Sequence, residues 1–297
     1  MNYRHAFHAG NFADVHKHAV LARILVHLRA KPAAFRVIDS HAGAGRYDLA
    51  GEQPTRGGEW RDGIGRLFQT QAAERSPNPP APHAESSEAA ALLAPYLDAV
   101  VALNPGGALR IYPGSPLIVQ SLLRRQDRLI ACEIEPGAAA SLEAALRGDR
   151  RAKVLRIDGW TAVNAYVPPR ERRGLVLVDP SFEDAADFTR LTGALAAAHR
   201  KWPTGIYMLW YPITDRSAPD ALARRLQRLG VARILRCEMM LAPPRPAAGL
   251  TGSGLILVNP PFGLEDELRI LLPALGRMLA PAAGHRLDWL AGESPGR

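Results

Sequence analysis

VIDSHAGAG, residues 37–45, is the stretch on which the reading of this chain turns. Its apolar start reads as the end of a β-strand over 35–39 (FRVID), closed by Asp39. Gly43 and Gly45 then let the backbone turn tightly against a cofactor at the N-terminus of a following helix. A dinucleotide fingerprint needs a third glycine where this chain has Asp48. The spacing therefore speaks against a dehydrogenase loop and for a shorter glycine turn.

Outward from that turn, short apolar runs alternate with helical patterns, as a mostly parallel α/β sheet requires. Further strand candidates are 128–133, 153–158, 174–179, 204–211, 233–241 and 254–259. Val15, Ala19, Ile24, Leu25 and Leu28 form a stripe that predicts a helix over 14–30. More helices read at 137–147, 184–201, 217–229 and 264–280. The rhythm breaks after the first strand, where residues 46–111 run far longer than one crossover helix needs. That stretch holds GEWRDGIGRLF, a Pro/Ser-rich tract at 76–88 and a helix near 87–103. It reads as an inserted helical subdomain with a surface loop at 76–88, set into a Rossmann-like domain of 1–45 and 112–297.

Composition narrows the class. Hydrophobic residues make up 47% of 297, which excludes wholesale disorder. No run approaches ~18 uninterrupted apolar residues, so no membrane span is expected. The first eighteen residues lack the apolar core of a signal peptide, and a cytoplasmic protein is expected. Cys132 and Cys237 are too isolated for a zinc or disulfide framework and read as buried free thiols. The net charge of +8, carried almost wholly by arginine, tilts the expectation toward a polyanionic partner.

Acidic residues recur at the later strand ends. Glu133 closes LIACE, in position to hold the ribose hydroxyls of a nucleoside cofactor. Asp158 closes LRID, in position to accept from an adenine amine, and Asp179 closes LVLVD. In open α/β sheets ligands lie outside the carboxyl ends of the strands. One such acid reads as a helix cap; four at four strand ends point to a cofactor site.

Asp179-Pro180-Ser181-Phe182 reads as the reactive element. An adenine N6 is a poor nucleophile because its lone pair is delocalised into the ring. The Asp179 carboxylate and Pro180 carbonyl suit the task of accepting from that amine, while Phe182 stacks on an extruded base. A competing NPPF at 259–262 follows the last strand candidate, away from the other acids, so Asn259 is expected to be structural. The N-terminal stretch is dense in Tyr3, Arg4, His5, His8, Asn11, Asp14, Lys17 and His18. Asp14 and His18 share a helical face, but the spacing is poor for a metal and none is expected. The segment is expected to line the cofactor pocket and to touch nucleic acid.

Together these residues closely resemble the ribosomal RNA large subunit methyltransferase J family. The resemblance runs along almost the whole chain. It is most specific in YRHAFHAGNFADVHKH (3–18), DSHAGAGRYDL (39–49), YPGSPLI (112–118), RRGLVLVDP (172–180), TGIYMLWYP (204–212) and TGSGLILVNPPF (251–262). It implies a Rossmann-like class I methyltransferase with a seven-stranded mixed sheet and a small helical insertion. It also implies S-adenosylmethionine as cofactor and adenine N6 of 23S ribosomal RNA as target, in a monomer with no obligate protein partner. By the resemblance, cofactor contacts come from His18, His41, Ser115, Glu133, Asp158, Gly159 and Asp179, and Asp179 is the catalytic acceptor. Tyr3 touches RNA at the mouth of the site, with His5 and Lys17 nearby. From chemistry alone Ser115 reads only as a turn and helix cap before Pro116.

The chain departs from the family pattern in two places. Asp-Pro-Ser-Phe stands where the family has Asp-Pro-Pro-Tyr, which loses a rigid proline and a phenol hydroxyl; the tract at 76–88 is also longer than usual. Two other readings are weighed against the leading one. DNA adenine-N6 methylation uses the same chemistry, but no DNA-reading module is evident. A nucleic-acid-binding protein with a degenerate site is motivated only by the altered tetrapeptide.

Overall fold

In the computed structural model, which describes residues 5–74, 84–184, 186–243, 249–280 and 282–292, helix α1 (Phe12–Arg29) opens the fold. Asn11 caps it by accepting from the Asp14 backbone N–H at 3.0 Å. Most of α1 is buried, including Asp14, His16, Lys17 and His18. A helix buried nearly all round is hydrophobic in the usual case, so these polar side chains need partners inside the protein.

Strand β1 (Arg36–Asp39) follows and ends in the glycine turn. Gly43 and Gly45 sit at φ +63° and +74°. A Cβ on Gly43 would lie 2.4 Å from the Tyr47 hydroxyl, and one on Gly45 would lie 2.8 Å from Leu142 Cδ1. Both turn angle and space therefore demand glycine. The expected following helix is absent. The turn runs instead into β2 (Arg46–Asp48), then α2 (Glu52–Gly57), α3 (Ile64–Glu74) and α4 (Ala84–Ala102), before β3 (Ile111–Pro113) returns to pair antiparallel with β2. Gly114 N–H donates to Gly45 O at 2.8 Å, and the crossover helix α5 (Ser115–Leu122) begins only there. Residues of the intervening segment, among them Leu67, Leu93, Tyr96 and Val100, belong to the same apolar cluster as α1. Most of the tract at 76–88 lies outside the described residues.

The rest alternates regularly. It comprises β4 (Arg128–Cys132), α6 (Pro136–Ala145), β5 (Ala152–Leu155), α7 (Gly159–Ala165), β6 (Gly174–Val178), α8 (Asp187–Lys201), β7 (Ile206–Ile213) and α9 (Ser217–Gln227). Then come β8 (Ile234–Met240), β9 (Gly252–Val258), α10 (Leu264–Leu279) and β10 (Gly284–Ala291). The main sheet runs β10-β8-β9-β7-β6-β1-β4-β5. β5, β4, β1, β6 and β7 are parallel, while β9 runs antiparallel to both β7 and β8. One apolar cluster joins a face of the sheet to α1, α4, α5 and α10; a second joins the other face to α7, α8 and α9.

The sheet has eight strands rather than the expected seven. β10 is the addition, antiparallel to β8 at the edge. Half-exposed along most of its length, it lacks the continuous apolar run that marks the interior strands. β9 behaves as its position foretold. Its reversed direction puts Asn259 at the amino end of the parallel strands, and Asn259 Nδ2 donates to Pro203 O and Gly205 O, both at 2.8 Å. Asn259 is structural. Cys132 and Cys237 are buried free thiols.

Candidate active site

The carboxyl ends of β1, β4, β5 and β6 surround a cavity of about 700 Å³, closed on one side by the start of α1. Glu133 follows β4 directly. Its Oε2 accepts from Gly43 N–H at 2.9 Å and its Oε1 from Glu135 N–H at 2.8 Å, so it ties the glycine turn to the neighbouring strand. Asp158 caps α7, with Oδ2 accepting from the Thr161 N–H and hydroxyl at 2.8 and 2.9 Å. Gly159 leaves room for the chain beside it: a Cβ there would sit 2.3 Å from Ser40 O and 2.6 Å from the His41 ring. His41 lies edge-on to Trp160 at 5.2 Å, and burial pulls its pKa down to about 4, so the imidazole is neutral.

Ser115 does not cap its helix. Gly114 occupies the cap position, and the Ser115 hydroxyl donates to Asp39 Oδ2 at 2.7 Å. Asp39 is fully buried, its Oδ1 has no hydrogen-bond partner, and burial pushes its carboxyl up to about 7. Unlike Glu133, Asp158 and Asp179, Asp39 does not form part of the cavity wall.

Asp179, just beyond β6, meets α1 across the cavity. The Lys17 ammonium bridges Asp179 Oδ2 at 2.5 Å and Asp14 Oδ1 at 2.8 Å, with Lys17 and Asp14 almost wholly buried. Burial works against the Lys17 charge, but the two carboxylates outweigh it and hold the pKa above the ordinary lysine value. Burial likewise opposes the Asp14 anion, yet Lys17 and His5 hold it well below the usual range. Asp14 Oδ2 also accepts from Gly10 N–H at 2.9 Å and from His5 Nε2 at 3.1 Å. His18 hydrogen-bonds the Tyr112 hydroxyl at 2.7 Å, and burial lowers its pKa to about 3.

His5, Lys17, His18, His41, Ser115, Glu133, Asp158, Gly159, Asp179 and Pro180 thus line one cavity. Phe182 does not. It sits at φ +53° and packs on Phe188 at 4.7 Å and edge-on to Trp210 at 5.6 Å. Tyr3 lies outside the described residues. Sequence reasoning missed the part Asp14 plays as the hub between His5, Lys17 and the backbone. The Asp14/Lys17 spacing of three was the available signal. It also missed Trp210, whose indole donates to Ser253 Oγ at 3.0 Å and whose ring lies 5.8 Å from the Lys17 ammonium; nothing in the sequence brings residues 17, 210 and 253 together.

The donor set suits a nucleoside cofactor with a cationic end. Seven carboxylates line the cavity against Lys17 and Arg190. Glu133 and Asp158 keep acceptor capacity beyond the bonds they make, and Asp39, behind the wall, holds Ser115 in place beneath the glycine turn. Among the described residues, no group of His, Cys, Asp and Glu is placed to hold a metal ion.

A parallel sheet in the order β5-β4-β1-β6-β7, continued by a reversed β9 and then β8, with its ligand cavity at the carboxyl ends, defines a class I methyltransferase. The model of the family described as "Ribosomal RNA large subunit methyltransferase D, RlmJ" matches residues 32–291. Ribosomal RNA large subunit methyltransferase J of Escherichia coli K12 is 38% identical over 99% of this chain and its own full length. The protein of that name from Haemophilus influenzae is 36% identical over the same shares. A crystal structure of a Legionella pneumophila protein superposes with a TM-score of 0.84 at 30% identity, covering 95% of this chain and 98% of that one. The chain belongs to the ribosomal RNA large subunit methyltransferase J family.

Proposed function

We propose that this chain transfers a methyl group from S-adenosylmethionine to the exocyclic N6 of an adenine in 23S ribosomal RNA, with Asp179 as the catalytic acceptor. The observation that carries this reading is Asp179 itself, at a strand's carboxyl end, followed by Pro180 and fixed from behind by Lys17. The large-subunit substrate rests on the family relatives. When bound, the cofactor supplies an electrophilic methyl group on a positively charged sulfur.

The chain's own residues do the rest. Glu133 would hold the cofactor's ribose hydroxyls and Asp158 its adenine amine, with Gly159 keeping the cavity wall beside Asp158 free of a side chain. His41, His18 and Ser115 complete the wall. Lys17 occupies Asp179 Oδ2, which leaves Oδ1 to accept one N–H of the target amine while the Pro180 carbonyl accepts the other. Drawing both hydrogens toward fixed acceptors pyramidalises N6 and returns its lone pair from the ring. Placement in line with the methyl group then supplies much of the acceleration. As the N6–carbon bond forms, the carbon–sulfur bond would break to leave a neutral thioether, and the proton lost from N6 passes to Asp179 Oδ1 and on to water. Pro180 borders the extruded base, Phe182 packs behind it on Phe188 and Trp210, and His5 with Tyr3, which the family resemblance assigns to RNA contact, serves the RNA side.

The division into a domain of 1–45 and 112–297 and an insertion of 46–111 belongs to the same reading. The β2–β3 ribbon, which closes the insertion where Gly114 meets Gly45, supports it. We place the chain in the cytoplasm as a monomer without an obligate protein partner. Among the described residues, no helix is long and apolar enough to cross a membrane.

The test is transfer of labelled methyl from S-adenosylmethionine to unmodified 23S rRNA, with Asp179→Ala beside it. Label recovered as N6-methyladenosine and lost in the variant is the expected result. Equal label in both proteins, or none in either while the cofactor binds, overturns the reading.

A further inference from the structure

The chain's positive charge gathers at the end of the sheet away from the cavity. Segments 28–36, 124–128 and 170–174 meet there: Arg36 stands in register with Arg128 and Gly174. The Arg124 guanidinium donates to the carbonyls of Arg29, Lys31 and Ala33 at 3.1, 2.7 and 3.0 Å, and Arg173 donates to those of Ala33 and Leu28. These three segments hold nine arginines or lysines and two carboxylates, a net charge of +7 against +8 for the whole chain. Both carboxylates are taken, Asp127 by Arg124 at 2.9 Å and Glu171 by Arg36 at 2.8 Å.

What remains is uncompensated. Arg29, Lys31, Arg125 and Arg172 are exposed and their side chains form no ion pair or hydrogen bond among the described residues. Arg124 and Arg173 crowd the same Phe35 ring at 5.6 and 6.0 Å. Burial and the neighbouring Arg124 charge pull the Arg173 pKa down, the mark of like charges held together. The cavity is the reverse, with seven carboxylates to two cations, and it repels phosphate.

We propose that this amino-end face is a second RNA-contact surface that holds the phosphate backbone of the substrate while the cavity receives the target base. The choice of RNA as the occupant rests on the function proposed above. Phosphate contacts position a nucleic acid, and base contacts specify it; here the two tasks fall to opposite ends of one sheet. β1 is four residues long, roughly 13 Å at 3.3 Å per residue, so the sheet is shallow between its two ends.

The test is a variant with Arg29, Lys31, Arg125 and Arg172 all changed to Gln, side chains that hold nothing together in the fold. Binding of unmodified 23S rRNA is measured from 50 to 300 mM salt, beside a control with Arg224, Arg228, Arg277 and Arg286 changed to Gln. The slope of log affinity against log salt is expected to become shallower by about 3, at roughly 0.7–0.9 per lost phosphate contact, with little change in the control. KM for the rRNA should rise at least tenfold at 150 mM salt, with kcat at saturating RNA and cofactor affinity unchanged. An unchanged slope, or an equal change in both variants, overturns the proposal. So does loss of binding to anionic lipid vesicles with RNA binding intact, which would assign the face to a membrane. If the unaltered protein binds rRNA but transfers no methyl group, the proposed reaction fails while the salt slopes still decide this surface.

Discussion

The two ends of the central sheet handle charge in opposite ways. At the carboxyl end, acids outnumber bases, and the innermost charges are buried and matched: Asp14, Lys17 and Asp179 share one ammonium between two carboxylates. At the amino end bases outnumber acids, and the outermost four make no ion pair among the described residues. A buried charge is tolerable only when paired, whereas an exposed one is stabilised by water and remains available to a partner. Charge near the cavity is therefore part of the fold. Charge at the far end is a surface property that the fold does not need.

The largest effect expected from this contrast is on catalysis. Asp179→Ala should lower the single-turnover methylation rate by about a thousandfold, within the range for removing a positioned acceptor or base. Next comes Lys17→Met, which takes the ammonium from buried Asp14 and half-buried Asp179 and leaves Asp14 only His5 and the Gly10 N–H. Urea unfolding should show a loss of about 3–5 kcal/mol, as for a buried pair broken from one side. A loss below ~1 kcal/mol would mean that water reaches Asp14 and Asp179, and the contrast between the ends would collapse.

Asp39 sharpens the same point through pH. Its folded pKa of about 7 lies above the ordinary aspartate value near 3.9. Its contribution to stability is thus fully present below about pH 4 and is lost as pH rises through 7. Without cofactor, Asp39→Asn should gain on the order of a few kcal/mol relative to the unaltered protein between pH 4.5 and pH 8. A difference that does not vary with pH would show that Asp39 stays ionised throughout. The smallest effect belongs to the amino end. The four-fold glutamine variant should unfold within ~0.5 kcal/mol of the unaltered protein, because exposed, unpaired side chains contribute little to stability.

Much of this was legible in the chain. The VID-S-H-A-G-A-G turn, the apolar runs closing in Glu133, Asp158 and Asp179, and the DPSF tetrapeptide are local signals, since strands, turns and strand ends are written in neighbouring residues. Interior strands stood out because both faces are covered and their sequences are continuously apolar. β10, half in solvent, did not stand out. The ribbon of β2 and β3 was also invisible, because three-residue strands carry too little pattern and their pairing joins residues 46–48 to 111–113 across the whole insertion.

The sequence by itself determined the fold class, the alternation of the interior strands with helices and the acids at the strand ends, because each follows from short-range spacing and backbone sterics. Only the tertiary structure decided which of those acids share a cavity and that Ser115 answers Asp39 rather than capping its helix. It alone showed that Lys17 joins two carboxylates 165 residues apart, and that three arginine-bearing segments converge on one face. Electrostatic and hydrogen-bond partners are chosen by distance in space, and the path of the chain through the sheet sets that distance.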